Sequence, residues 1–371
     1  MRIIISGGGT GGHIYPAIAI ADKIMRKEPE SRILFVGTKK GMESRLVPES
    51  GYEIRYISAR GFNRANLFKN VNTAVDLLRG CRQVARLIKE FKPDMVIGTG
   101  GYVSLPVLFT AARKGLPVYI HEQNAFPGLA NRILGRYAKK IFISFQESEQ
   151  YFKGKGEIVV TGNPIRNEFI VSGIFNYREK LGINAGDFFI LSFGGSRGAE
   201  KINDAILDLA KTIGEVPNVR LLHITGRNYY DTFKQKLKES INCEKHSDKI
   251  TVIPYTERIH EYMLASDLVI CRSGAITVAE LTACGKPAIL IPSPNVTANH
   301  QYYNAKSVAD KGGAVLILEK DLIDGRLENI VMRLMNNKEA LNKMSKISSS
   351  LGRMDGADAI FAELMVNKHI S

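Results

Sequence analysis

The residues with the clearest chemical potential open the chain. Gly7-Gly8-Gly9-Thr10-Gly11-Gly12 is followed directly by His13. Glycines let a ligand approach the backbone closely, and amides at the start of a following helix meet an anion or a developing charge. A neutral imidazole at that mouth can accept a proton from an attacking hydroxyl near physiological pH. A second glycine turn, Gly194-Gly195-Ser196-Arg197-Gly198-Ala199, recurs in the second half. There too Cys271-Arg272-Ser273-Gly274 leads into Ala275, Ile276, Thr277 and Glu280. Ser273-Gly274 reads as a turn, and the next three residues would present unpaired amides at a helix start. Glu280, one turn later, is placed to accept both hydroxyls of a ribose. The two turns together would hold a nucleoside diphosphate.

Several chemistries lack their required partners. Gly7, Gly9 and Gly12 fit the dinucleotide spacing, yet the second strand ends in Gly37-Thr38-Lys39-Lys40 where a ribose-binding acid would stand. The nearest following acid is Glu43. The loop lacks the Gly-Lys-Ser/Thr ending of a Walker phosphate cradle. No Asp-x-Asp occurs, and no His/Asp/Glu cluster has metal-ligand spacing. A sugar-nucleotide enzyme of this kind is expected to use no metal or other cofactor. Its departing diphosphate would be met by amides, hydroxyls and Arg166.

These residues need strands and helices to position them. Arg2–Ser6, Arg32–Thr38, Met95–Gly101, Pro117–Glu122 and Lys140–Ser144 are near-continuous apolar runs with helical stretches between them. That alternation predicts an α/β fold, a parallel sheet covered on both faces, with ligands at the carboxyl ends of the strands. Pro16 reads as the opening of the first helix. Thr161–Arg166 breaks the pattern, and Phe188–Phe193 starts it afresh. We expect two similar α/β domains, 1–162 and 163–340. A helical segment, 341–371, is expected to return to the N-terminal domain.

Charge separates the halves. Residues 1–162 carry 25 Lys and Arg against 13 Asp and Glu, a balance of +12; residues 163–371 carry 26 against 24, a balance of +2. Concentrated positive charge points to an anionic partner of the first half: nucleic acid, a membrane surface or a phosphorylated substrate. Between Leu77 and Phe91, apolar residues at 77, 81, 84, 88 and 91 oppose Arg79, Arg82, Arg86 and Lys89. A core-packed helix with a solvated face accounts for that spacing. With the preceding Phe62, Leu67, Phe68 and Lys69, the same residues would suit an anionic bilayer. No apolar run approaches the ~18 residues that span a membrane. The chain enters a strand at once, so no signal peptide is expected, and four scattered cysteines suggest buried thiols in a reducing cytoplasm.

Six motifs in order resemble the MurG family of peptidoglycan N-acetylglucosaminyltransferases. They are Gly7–His13, Gly100-Gly101-Tyr102-Val103-Ser104, His121-Glu122-Gln123-Asn124, Gly162–Arg166, Gly194–Ala199 and Arg272–Ala275. The resemblance implies a GT-B fold, two Rossmann-like domains facing a cleft. It implies inverting transfer of N-acetylglucosamine from UDP-GlcNAc to the C4 hydroxyl of undecaprenyl-diphosphate-MurNAc-pentapeptide (lipid I), giving lipid II. His13 would be the general base. Thr10, Gly11 and Gly12 would lie against the donor sugar and diphosphate, and Asn124 on the sugar. Arg166 and Ser196 would contact the diphosphate, and Ala275, Ile276, Thr277 and Glu280 the nucleoside. Gln301 and Asn304 would read sugar hydroxyls, and the Thr256 backbone would read uracil. An acceptor anchored by a polyprenyl chain implies a peripheral enzyme at the cytoplasmic face of the bacterial cell membrane. Cell-wall and division proteins would be further partners, and nucleic acid would not. The competing readings are a diacylglycerol galactosyltransferase-like enzyme, a nicotinamide oxidoreductase and a non-catalytic sugar-nucleotide or lipid-binding subunit.

Overall fold

A computed structural model describes residues 1–61, 70–170, 176–195, 197–240, 249–323 and 325–366, without the side chains of 70–72. In chain order the elements are β1 (Arg2–Gly7), α1 (Gly11–Lys27), β2 (Arg32–Gly37), α2 (Glu43–Glu49), β3 (Glu53–Tyr56), α3 (Asn70–Phe91), β4 (Met95–Gly100), α4 (Ser104–Arg113), β5 (Val118–Glu122), α5 (Leu129–Leu134), β6 (Lys140–Ile143) and β7 (Glu157–Val160). Then come α6 (Asn167–Ile170), α7 (Tyr177–Lys180), β8 (Phe188–Phe193), α8 (Glu200–Gly214), β9 (Val219–Ile224), α9 (Tyr230–Ser240), β10 (Ile250–Ile253), α10 (Ile259–Ala265), β11 (Leu268–Cys271) and α11 (Ala275–Ala283). The remainder is β12 (Ala288–Leu290), α12 (His300–Ala309), β13 (Val315–Leu316), α13 (Arg326–Met335), α14 (Lys338–Leu351) and α15 (Gly356–Val366).

The chain forms two compact units, Met1–Ile165 with Arg353–Ser371, and Arg166–Gly352. In the first, seven parallel strands run β3-β2-β1-β4-β5-β6-β7. In the second, six run β10-β9-β8-β11-β12-β13, again all parallel. Counted from its own first strand, each sheet begins 3-2-1-4-5-6, the dinucleotide-fold order, which reverses between strands 1 and 4. Ile3, Ile4 and Ile5 of β1 and Ile190 and Leu191 of β8 are fully buried, as central parallel strands covered on both faces require.

Two of the edge strands, β3 and β13, leave no signature in the sequence. β3 is Glu-Ile-Arg-Tyr with only Ile54 part-buried, and β13 has two residues, so neither shows an apolar run. The C-terminal boundary also differs from expectation. Leu341 and Met344 of α14 are buried in the core of the second unit, so the return begins at Arg353 and not at 341. α15 then lays Ile360 and Leu364 against Ile14, Ala17 and Ala21 of α1 in the first-unit core. Lys140 on β6 pairs with Glu363, and Lys23 with Asp358 at 2.6 Å.

Candidate active site

In the first unit the glycine loop leaves β1 at the switch point beside β4. Helix α1 starts at Gly11, earlier than Pro16, because Thr10 is already extended and the next residues are helical. Two glycines at the helix start masked it, since glycine has poor helix propensity. His13 therefore sits in the first turn, where Gly11 and Gly12 amides lack intrahelical acceptors and Thr10 supplies no side-chain cap. Thr10 and Gly12 are exposed and Gly11 and His13 part-exposed, so this end of the helix is open to a ligand.

Two loops meet there, and glycine is obligatory at two points. Gly101 has φ +85°, and a Cβ on it would lie 2.2 Å from Gly8 O. Gly100 has φ +106°, and a Cβ would lie 2.8 Å from His13 Nδ1. Glu43 holds the loop from the other side. Its carboxylate accepts from Gly9 N at 3.0 Å, Thr38 N at 3.0 Å and Thr38 Oγ1 at 2.8 Å. Glu43 is 1% exposed, so the acid nearest the ribose position of a dinucleotide fold is turned inward and occupied.

His13 is held at one nitrogen. Nδ1 lies 3.0 Å from Thr99 O and 2.9 Å from Gln123 Oε1, and Thr99 Oγ1 donates to His13 O at 2.7 Å. Among the described residues no hydrogen bond reaches Nε2. Gln123 continues to His121, which is fully buried; burial pushes that imidazole down to about 4, against a smaller upward pull from the Gly162 carbonyl. Glu122, also fully buried, accepts from Asn124 N at 3.0 Å, Asn124 Nδ2 at 3.2 Å, Gly128 N at 3.1 Å and Asn131 Nδ2 at 2.9 Å. It thus sets the pose of Asn124. Gln123, Glu122, Thr99 and Glu43 escaped sequence reading as site-builders. The His121–Asn124 run was the available signal, but its partners lie far away in sequence.

In the second unit, Gly194-Gly195 follows β8 and Ser273-Gly274 follows β11, the two strands that flank its switch point. Ser196 lies outside the described residues. Gly274 is the extended N-cap of α11 with no side-chain cap, leaving Ile276 and Thr277 amides at an open helix start. Glu280 is buried, and its Oε1 accepts from Arg166 Nε at 2.8 Å. Burial raises its carboxyl above the ordinary range, and Arg166 opposes that rise. Sequence reading gave these residues separate ligand groups; in this structure they bind each other. Gln301 Oε1 accepts from Ser293 N at 2.9 Å, and its carbonyl accepts from Ser273 Oγ at 2.8 Å. Asn304 is fully buried and donates to Ser273 O at 3.2 Å, so it braces the turn. Thr256 Oγ1 accepts from Arg258 N at 3.0 Å, so its side chain shapes the start of α10.

On α3, Val84 and Ile88 are buried while Arg79, Arg82, Arg86 and Lys89 are exposed, the two stripes expected. Val75 and Leu78 are also exposed, at 40% and 63%, so the outer face mixes apolar and basic residues. Phe62, Leu67, Phe68 and Lys69 lie outside the described residues. Among those described, no helix is long and apolar enough to cross a membrane, and no three His, Cys, Asp or Glu could hold a metal ion.

The profile of the glycosyltransferase family 28 N-terminal domain matches residues 3–143, and that of its C-terminal domain matches 189–360. A protein of Ruminiclostridium cellulolyticum is 47% identical over 97% of this chain and 98% of its own length. It is named UDP-N-acetylglucosamine--N-acetylmuramyl-(pentapeptide) pyrophosphoryl-undecaprenol N-acetylglucosamine transferase. The chain belongs to the MurG family within glycosyltransferase family 28. An equally named MurG relative from Acetivibrio thermocellus is 44% identical over 99% of both chains. The crystal structure of Acinetobacter baumannii MurG superposes with TM-score 0.79 at 27% identity, covering 97% of each chain. A Neisseria meningitidis UDP-GlcNAc 2-epimerase bound to UDP-GlcNAc shares the fold, with TM-score 0.66 at 16% identity over 98% of this chain and all of that one. MurG membership confirms the expected two-domain GT-B architecture and the glycosyltransferase class.

Proposed function

We propose that this chain transfers N-acetylglucosamine from UDP-GlcNAc to the C4 hydroxyl of N-acetylmuramyl-(pentapeptide) pyrophosphoryl-undecaprenol, with inversion at the anomeric carbon. The observation that carries this reading is the match along nearly the whole chain to transferases of that name, at 43–47% identity.

His13 acts as general base. Support comes from its place in an open helix turn, with Nδ1 engaged and Nε2 without a protein partner among the described residues. As the acceptor oxygen bonds to the anomeric carbon, its proton passes to Nε2 and the electron pair of the broken bond leaves with UDP. Thr10, Gly11, Gly12 and Asn124 serve the donor sugar and diphosphate. Ala275, Ile276, Thr277 and Glu280 hold the nucleoside, the Thr256 backbone reads uracil and Gln301 reads sugar hydroxyls. Arg166 and Ser196 meet the leaving diphosphate beside the open start of α11. With these donors supplied by the protein, transfer proceeds without a metal.

The polyprenyl acceptor brings the enzyme to the cytoplasmic membrane surface. The exposed Val75 and Leu78 among Arg79, Arg82 and Arg86 support docking there, with Phe62, Leu67, Phe68 and Lys69 as further contacts. Cell-wall and division proteins are the partners that such a location brings within reach.

Incubation with sugar-labelled UDP-GlcNAc and a lipid I analogue, with and without EDTA, tests substrate and metal independence together. Labelled disaccharide product is expected in both samples. Absence of transfer would overturn the substrate assignment, and loss of transfer only in EDTA would overturn the metal-free reaction.

A further inference from the structure

We propose that Gln123 is a positioning residue whose locked side-chain amide fixes His13 as the Nδ1–H tautomer and leaves Nε2 as the proton acceptor. The proposal rests on the assignment of His13 as general base.

Three acceptors surround one end of the Gln123 amide. Thr99 O lies 2.8 Å, His121 O 3.1 Å and His121 Nδ1 3.0 Å from Gln123 Nε2. The two backbone carbonyls can only accept hydrogen bonds, so the amide nitrogen must face them. Turning the amide over would set its oxygen against both carbonyls inside a buried site, where an unmatched polar group is costly. Gln123 is 1% exposed, so water is not at hand to relieve such a clash.

The opposite end is then determined. Gln123 Oε1 faces His13 Nδ1 at 2.9 Å, and Thr99 O faces the same nitrogen at 3.0 Å. Two acceptors facing Nδ1 require a proton on it. A neutral imidazole with Nδ1–H carries its lone pair on Nε2, the nitrogen no described protein group engages. After Nε2 takes the acceptor's proton, the Nδ1–H of the imidazolium still points at the same two carbonyl-type oxygens.

The same logic reaches His121. Its Nδ1 lies 3.0 Å from Gln123 Nε2, an amide nitrogen that cannot accept a hydrogen bond, so the proton of the neutral ring lies on Nε2, 3.3 Å from both Gly162 O and Ser144 Oγ. One amide, with its nitrogen held by two backbone carbonyls, thus faces the Nδ1 atoms of two histidines with opposite ends. Second-sphere groups orient metal-bound histidines in this way, and here the oriented group is a base.

The test begins with the unaltered protein. Long-range proton–nitrogen spectra of imidazole-labelled enzyme, with His13 assigned by His13→Ala, should show His13 protonated at Nδ1 and bare at Nε2 at a pH where it is neutral. Gln123→Met leaves Thr99 O as the only acceptor at Nδ1. With one of the two acceptors gone, the preference for Nδ1–H and the ring's fixed pose should weaken, lowering kcat about ten- to a hundredfold, part of what a general base supplies, with both KM values within about twofold. An Nε2–H tautomer in the wild-type enzyme would overturn the proposal, with or without a foldable variant. So would wild-type kcat in a folded Gln123→Met enzyme. Full turnover in His13→Ala would instead remove the base assignment itself, so the two failures are distinguishable.

Discussion

Arg166 Nε donates to Glu280 Oε1 at 2.8 Å, pairing the two side chains assigned to opposite ends of the nucleotide. Glu280 is 4% exposed, and burial holds its carboxyl above the ordinary range even with Arg166 opposing. A carboxyl raised in the folded state favours folding in its protonated form, so its stability contribution is lost as pH rises through the folded value. Glu280→Gln should therefore raise the melting temperature of the unliganded protein at neutral pH. It should also weaken UDP binding roughly 10- to 100-fold, the loss expected for hydrogen bonds to a charged group. Calorimetric titration with UDP checks this; unchanged affinity would remove Glu280 from the ribose site.

Glu43 offers a separate test of the first glycine loop. Glu43→Ala leaves the amides of Gly9 and Thr38 without their buried acceptor. The expected cost is about 2–4 kcal/mol of unfolding free energy, with a lower kcat because the loop before His13 loosens. Denaturant titration and steady-state kinetics measure both effects. A variant with wild-type stability would show that the carboxylate does not hold the loop.

What was legible in the sequence follows from what glycine and apolar runs must do. A buried parallel strand ending in glycines and entering a helix has a local signature, so both switch-point loops could be read before the fold was known. Glu43 could not be read as the loop's anchor, because its bond to Gly9 spans 34 residues and glutamates after a strand are ordinary. Gln123 stood in a motif already singled out, yet its value comes from Thr99 and His13, which only the sheet order brings near. Pairing of Arg166 with Glu280 spans 114 residues and was equally invisible. Pro16 misled because it lies inside α1, where it removes one helical hydrogen bond, and not at the helix start.

Acid should destabilise both units through histidines that remain neutral. Burial lowers His121 to about 4 and His223 to about 3, from an unfolded value of 6.5. Below about 6.5 the unfolded chain takes up protons that the folded protein refuses, so stability falls as pH drops toward the folded values. His121 alone accounts for on the order of 3 kcal/mol over that window. His223→Gln should flatten the decline of melting temperature between about pH 6 and pH 4. An unchanged slope would contradict the assignment.

Membrane docking through α3 is sensitive to charge and salt. Replacing Arg79, Arg82 and Arg86 with Gln should weaken binding to anionic vesicles roughly a hundredfold at low salt, without altering UDP affinity. Changing Leu78, or Phe62 and Phe68, to Ser should reduce insertion at fixed charge. Vesicle co-sedimentation measures each loss, and unchanged binding of the triple variant would place the docking surface elsewhere.

The central claim is glycosyl transfer to one hydroxyl with inversion, and analysis of the product tests it most directly. UDP-GlcNAc and a lipid I analogue should give a β-linked N-acetylglucosamine at C4 of the muramyl sugar, seen in the anomeric coupling and linkage signals of the isolated disaccharide. A 4-deoxy acceptor should give no product. An α-linked product, transfer to the 4-deoxy acceptor, or no transfer at all would contradict the account.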